Sequence, residues 1–171
     1  RKPMDRAIVS LGSNIEQPLL QLYLAFKAIQ KTRLICVGQT SLVYRSAPIG
    51  PLDQPDFLNA AVAIDTQHTP INLMEALLDI EKRMGRKRLR RWGERSIDLD
   101  LLLYSDLQFE SSELVIPYPR LKERLFVLEP LIEILGPEHC LPDGESLQEI
   151  RARCEKQTIT VGCQFPKATM A

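Results

Sequence analysis

The chain has 171 residues, 44% hydrophobic and 26% charged, which is the make-up of one ordinary globular domain with its own core. Its 22 basic and 22 acidic side chains cancel, arguing against a generic nucleic-acid binder, whose footprint is an excess of positive charge. No apolar run approaches the ~20 residues of a membrane span and no secretory pattern opens the sequence, so a cytoplasmic protein with no membrane partner is expected.

Residues 6–14, RAIVSLGSN, alternate apolar and polar positions up to Gly12 and predict a strand. The LGSN that ends it either turns the chain or presents backbone amides to an anion. Residues 17–31 have helical spacing at Leu20, Leu24, Ala25 and Ile29. Residues 34–46 are rich in β-formers and run into APIGPLDQPD, too punctuated for a helix or a central strand. FLNAAVAIDT, 57–66, alternates as a strand again. In the next segment Thr69 is placed to cap a helix, Pro70 to open it and Gly85 to stop it. Residues 96–104 read as a strand. Residues 113–134 read as a short strand, a proline-marked loop and a helix from near Lys122, and LPDGESLQEI as a turn leading into a last short helix. The tail beyond about residue 155 has no clear pattern, and a loose attachment is expected. This order predicts an α+β sandwich with a largely antiparallel sheet, in a single domain over 1–171.

Two stretches carry chemistry. Lys82, Arg83, Arg86, Lys87, Arg88, Arg90, Arg91 and Arg95 crowd one segment of an otherwise acidic chain, and the strand SIDLDLLLY follows at once. In that strand Asp98 and Asp100 share one face, while Ile97, Leu99 and Leu101 take the other. Two like charges on one face need a cation nearby, either Mg²⁺, the upstream arginines, or both. A carboxylate pair beside guanidinium groups suits a Mg²⁺-polyphosphate, with a surface salt-bridge network as the plainer alternative. No GxxxxGK[ST] is present, so there is no P-loop. In the second stretch, Phe57 and Asn59 share a strand face after the proline-rich loop. A ring and a carboxamide there suit a flat heterocycle, or else a core phenylalanine and a turn-bonded asparagine. The four cysteines (Cys36, Cys140, Cys154, Cys163) include no CxxC pair; with His139 they fit no common zinc spacing, and reduced thiols are expected.

The ordered set SLGSN, YRSAPIGPLDQPDFLNAAV, LLDIEKRMGR, RWGERSIDLDLLLY, IPYPRLKERLFVLEPL and PDG resembles the 6-hydroxymethyl-7,8-dihydropterin pyrophosphokinase family over residues 7–150. The resemblance implies a ferredoxin-like α/β sandwich whose sheet is flanked by helices. It implies ATP as co-substrate, two Mg²⁺ ions, and pyrophosphoryl transfer to the pterin hydroxymethyl oxygen with release of AMP, in folate biosynthesis. A monomer acting on these two small molecules is expected. By the same resemblance Asp98 and Asp100 hold the metals, and Arg86, Arg91 and Arg95 act on the triphosphate. Glu81, Leu101, Tyr118 and Arg124 contact the nucleotide together with Arg86 and Arg95. Ser46, Ala47, Ile49, Phe57, Asn59, Trp92 and Phe126 form the pterin pocket. Tyr118 stands where the family usually has histidine, and Phe57 where tyrosine is frequent. The basic loop between Gly85 and Trp92 is one residue shorter than in some members.

Two other classes fit part of the pattern. A single-stranded RNA module would use the basic run with Trp92 as a stacking platform, but needs further exposed sheet aromatics, for which only Phe57 qualifies. Another Mg²⁺-dependent nucleotide transferase would explain the Asp-x-Asp pair but not GPLDQPDFLN.

Overall fold

The structure, a computed structural model, describes residues 3–15, 17–47, 53–85, 97–154 and 157–165. In chain order its elements are β1 (Asp5–Ser13), α1 (Pro18–Gln30), β2 (Ile35–Thr40), β3 (Val43–Ser46), β4 (Phe57–Thr66), α2 (Pro70–Arg83), β5 (Asp98–Tyr104), β6 (Phe109–Glu110), β7 (Val115–Ile116), a 3₁₀ turn (Leu121–Glu123), α3 (Leu125–Leu135), α4 (Leu147–Arg153) and β8 (Ile159–Cys163). Six strands make one sheet in the order β5-β1-β4-β3-β8, with β2 also on β4, and every pairing is antiparallel. β6 and β7 form a separate two-stranded ribbon. The expected α+β sandwich is what forms.

The period-2 alternation of the strands splits the core in two. Val9, Leu11, Ala60, Val62, Leu99 and Leu101 point to α1 and α2, while Ile8, Ala61, Ala63, Leu102 and Leu103 point to α3 and α4. A register shift makes the second set possible. Ile8 faces Leu103 and Val9 faces Leu101, so Leu102 is an extra residue and both leucines are buried on the same side. β4 is long enough to hold two partners end to end: Ile35–Val37 of β2 on its Ile64–Thr66 end and β3 on its Phe57–Asn59 end. Ser41 fills the gap between them. Its N–H donates to Ala61 O at 2.9 Å and its Oγ accepts from Ala61 N–H at 2.9 Å, so no sheet group there is orphaned.

α2 has the expected ends, with Thr69 Oγ1 accepting from Asn72 N–H at 3.2 Å and Gly85 at φ 70°. Three of the expectations change. In α1 the buried stripe is Leu22, Ala25, Phe26 and Ile29, while Leu20 and Leu24 are 44% and 46% exposed. Positions 22, 25, 26 and 29 are i, i+3, i+4 and i+7, and Leu20 and Leu24 lie about 200° around the helix from Leu22. The helix from near Lys122 is instead a 3₁₀ turn followed by α3, because Arg124 is extended (φ −124°, ψ 106°) between them. That break lets Leu121 and then Val127, Leu128 and Leu131 all reach the sheet. Residues 157–165 of the tail are also anchored: β8 pairs with β3, and the ring of Phe165, 5% exposed, packs edge-on to Phe26 at 5.3 Å.

Gly12 sits between Asn59 on β4 and Asp98 on β5. A Cβ there would lie 2.7 Å from Asn59 Oδ1, so the carboxamide occupies the space a side chain would need. Gly12→Ala should therefore displace Asn59 and cost about 1–3 kcal/mol, as overpacking of a filled interior does. Asn59→Ala removes the obstructing atoms, so urea unfolding of the double variant should show less destabilisation than the two single losses added together.

Candidate active site

The face of the sheet under α3 changes character along its length. At one end Ile8, Ala63 and Leu103 form an apolar row. One pleat on, Ser10 lies between Ala61 and Asp100, and in the next row Gly12 lies between Asn59 and Asp98. α3 covers the apolar end and leaves the polar end open as a cleft of about 580 Å³. Ser10, Gly12, Asn59, Asp98 and Asp100 form its floor, Ala47 and Phe57 one side, and Tyr118, Arg124, Phe126 and Val127 the other.

Each wall is held by identifiable bonds. Asn59, 6% exposed, donates from Nδ2 to Ser46 Oγ at 3.2 Å, which orients the carboxamide over Gly12. Tyr118 N–H donates to Leu102 O at 2.9 Å, fixing the proline-marked loop to the outer strand β5. Burial pushes the Tyr118 phenol up to about 12, and the Asp100 carboxylate adds to this. Arg124 pulls the other way, Asp98 adds a smaller rise and Arg120 a smaller fall. Tyr118 is thus a neutral hydroxyl at any physiological pH, set among two acids and two arginines. The Arg124 guanidinium lies 5.6 Å from the centre of the Phe126 ring, a cation–π contact that couples the two groups at the start of α3.

A groove of about 850 Å³ runs around the edge of β5 to the α2 side, where Met74, Leu77, Leu99, Leu101 and Leu114 contribute apolar walls. Asp100 and Tyr118 belong to both depressions, so cleft and groove meet at these two side chains.

Of the residues singled out from sequence, Ala47, Phe57, Asn59, Asp98, Asp100, Tyr118, Arg124 and Phe126 converge on the cleft, and Ser46 supports Asn59 from behind. Leu101 lies in the groove. Glu81 is not in the cleft: it is 5% exposed on the other side of the sheet, where its Oε2 accepts from Leu99 N–H at 2.6 Å. Ile49, Arg86, Arg91, Trp92 and Arg95 lie outside the described residues, as do Lys87, Arg88 and Arg90. LGSN makes no open turn through Gly12, because β1 continues to Ser13 with Gly12 paired on both sides. Among the described residues no three His, Cys, Asp or Glu side chains gather as a metal site, and all four thiols are unpaired.

Two supporting residues escaped the sequence reading. Asn14, 1% exposed, donates from Nδ2 to Gln54 Oε1 at 2.8 Å and to Pro55 O at 3.2 Å. This pins the end of the proline-rich loop to the end of β1 and so aims Phe57 into the cleft. The only signal was a carboxamide in each of two quoted motifs, Asn14 closing SLGSN and Gln54 inside GPLDQPDFLN, and 40 residues of separation hide their meeting.

The sequence pattern of the family described as 7,8-dihydro-6-hydroxymethylpterin-pyrophosphokinase (HPPK) matches residues 8–136. The chain is 42% identical over 147 residues to the 2-amino-4-hydroxy-6-hydroxymethyldihydropteridine pyrophosphokinase of Haemophilus influenzae, covering 86% of this chain and 91% of that protein. It is also 42% identical to the protein of the same name from Pseudomonas aeruginosa, over 91% of this chain and 96% of that one. Among solved structures, HPPK-DHPS of Plasmodium falciparum shares the fold, with a TM-score of 0.69 at 15% identity. That match covers 90% of this chain, which spans only 44% of the larger protein. A match over most of the domain, with relatives that align nearly end to end, makes this chain a member of the 7,8-dihydro-6-hydroxymethylpterin-pyrophosphokinase family.

Proposed function

We propose that the chain, as a single pyrophosphokinase domain, transfers the β,γ-pyrophosphoryl group of ATP to 6-hydroxymethyl-7,8-dihydropterin in folate biosynthesis. The observation that carries this reading is the meeting of a cleft with a polar floor and a groove with apolar walls at Asp100 and Tyr118, with Asp98 beside them. A two-substrate transfer needs this arrangement, because most of its rate comes from positioning and charge stabilisation.

The cleft suits the pterin. Phe57 and Phe126 supply ring faces, and the Asn59 carboxamide, held by Ser46, supplies a donor and an acceptor for the heterocycle edge. The groove suits the nucleoside through Leu101 and its apolar neighbours, with Tyr118 and Arg124 toward the phosphates. By resemblance Ile49 and Trp92 complete the pterin side, and Arg86, Arg91 and Arg95 the triphosphate side. Glu81 reaches the reaction through the backbone of β5 rather than by direct contact with nucleotide.

The donor set between the two substrates is hard oxygen: two carboxylates on one strand face, with Ser10 beside Asp100 in the same row. Such oxygens fit Mg²⁺, and Asp98 and Asp100 would hold the two ions of this reading. When bound, the metal supplies neutralisation of the triphosphate charge. In the transfer, the hydroxymethyl oxygen releases its proton to solvent and forms a bond to the β-phosphorus as the bond from that phosphorus to the bridging α-oxygen breaks, and AMP leaves with the oxygen. Arg124 and the Tyr118 hydroxyl stabilise the charge moving onto that oxygen. A cleft built within one chain is consistent with action as a monomer, and unpaired thiols with a reducing cytoplasm.

Incubation with ATP, Mg²⁺ and the pterin should give AMP in step with pterin consumption, resolved by nucleotide chromatography. Asp98→Asn or Asp100→Asn should slow it by two or more orders of magnitude (about 3 kcal/mol or more) while circular dichroism shows a folded protein. ADP as product, or near-normal turnover in both variants, would contradict the reading.

Tyr118 gives a pH-dependent test. With its phenol pushed up to about 12, wild-type affinity for a non-hydrolysable ATP analogue should not change through titration of this group between pH 6 and pH 8. Tyr118→His introduces a group that gains charge as pH falls through about 6.5, so binding should tighten at pH 6 relative to pH 8 by on the order of 1 kcal/mol. Tyr118→Phe should weaken nucleotide binding slightly at both values and leave pterin binding unchanged. Calorimetric titrations of the three proteins check this.

A further inference from the structure

α3 begins without a local cap. Its N-cap residue, Arg124, makes no side-chain bond to the first turn, although helices need partners for their first N–H groups. The partner comes from the other end of the chain. Gln157 Oε1 accepts from Leu125 N–H at 2.9 Å, and its Nε2 donates to Glu123 O at 2.6 Å. One carboxamide thus grips both sides of Arg124, the extended residue at which the 3₁₀ turn gives way to the helix.

The grip is itself anchored. Gln157 N–H donates to Cys154 O at the end of α4, and two residues later Ile159 pairs with Ser46 on β3. Gln157 also shares with Ser46, Ala47 and Phe126 the wall of a third depression, which abuts the cleft at Ala47 and Phe126. The strap therefore joins β3, which carries Ser46, to the start of α3, which carries Arg124 and Phe126. The matched family pattern ends at residue 136, before any of this segment.

We propose that Gln157 is a positioning residue, fixing Arg124 and Phe126 against the cleft by capping α3 from a distance. The proposal rests on the reading of the cleft as the pterin site. Its contribution is to pre-organisation: with the cap lost, the first turn of α3 samples other arrangements and substrate binding must reorder it. The apparent affinity then falls by the fraction of molecules in the competent arrangement.

Gln157→Met keeps the length of the side chain and removes both bonds. Its KM for the pterin should rise about 3- to 10-fold, the scale of one or two modest hydrogen bonds, with kcat at saturating pterin within about 2-fold of wild type. Amide exchange at Leu125 should accelerate while the rest of α3 keeps its protection. A merely structural role would act differently, lowering Vmax through loss of folded enzyme at unchanged KM. Gln157→Glu keeps the acceptor for Leu125 N–H and loses the donor to Glu123 O, so its KM should lie between the other two. It also carries the test if Gln157→Met does not fold. A wild-type KM in a folded variant, or unchanged exchange at Leu125, overturns the role of Gln157. Absence of pterin-dependent AMP from the wild type overturns instead the function proposed for the cleft, and the exchange measurement needs no substrate.

Discussion

Asp98 and Asp100 repel each other across a single strand face, and the structure around them is arranged to tolerate this. They sit on β5, the outer strand of the sheet path, where the cleft and the groove keep both side chains in reach of solvent and ligand. The same strand is apolar on its reverse and apolar again from Leu102 onward. Charge is thus confined to two positions of a strand anchored by core residues on every other side. Full burial of the pair would cost several kcal/mol (roughly) without a compensating cation, and an open cleft beside a firm anchor avoids that cost.

The firmness comes from the far side of the sheet. Glu81 accepts the Leu99 N–H, a backbone group on an outer strand for which the described residues provide no strand on that side. The position of Leu99 between Asp98 and Asp100 means that the bond holds the segment carrying both carboxylates. A buried acid on α2 is therefore part of the frame of the cleft although it faces away from it. Tyr118 plays the matching part on the near side, where its backbone bonds Leu102 and its ring walls the cleft.

What the sequence made legible was local. Period 2 placed Asp98 with Asp100 and Phe57 with Asn59, and the Thr69, Pro70 and Gly85 signals bounded α2. What it hid was pairing at a distance. Asn14 and Gln54 lie 40 residues apart, Glu81 and Leu99 18 apart, and each bond joins residues whose neighbours give no sign of it. β8 escaped for another reason. Its side chains are largely exposed, with Val161 at 58%, so it is held through backbone bonds and leaves no hydrophobic alternation to read. In α1 an excess of leucines blurred the phase of the helix, and only the sheet beneath decides which four residues are buried. The resemblance named the residues that meet at the cleft, but the mutual support among them became visible only with the fold.

Sharing Asp100 and Tyr118 between two depressions has an energetic consequence. A wall common to two depressions cannot be rearranged by an occupant of one without altering the other, so the affinities of any two occupants would be linked. Whatever factor a ligand in the groove applies to affinity in the cleft, a ligand in the cleft must return to the groove. The sign depends on whether both occupants favour the same Tyr118 orientation, and the size is limited by how differently each binds the alternatives. Cooperation between the two halves of this site therefore needs no moving domain and no distant relay; one side chain with two neighbours is enough.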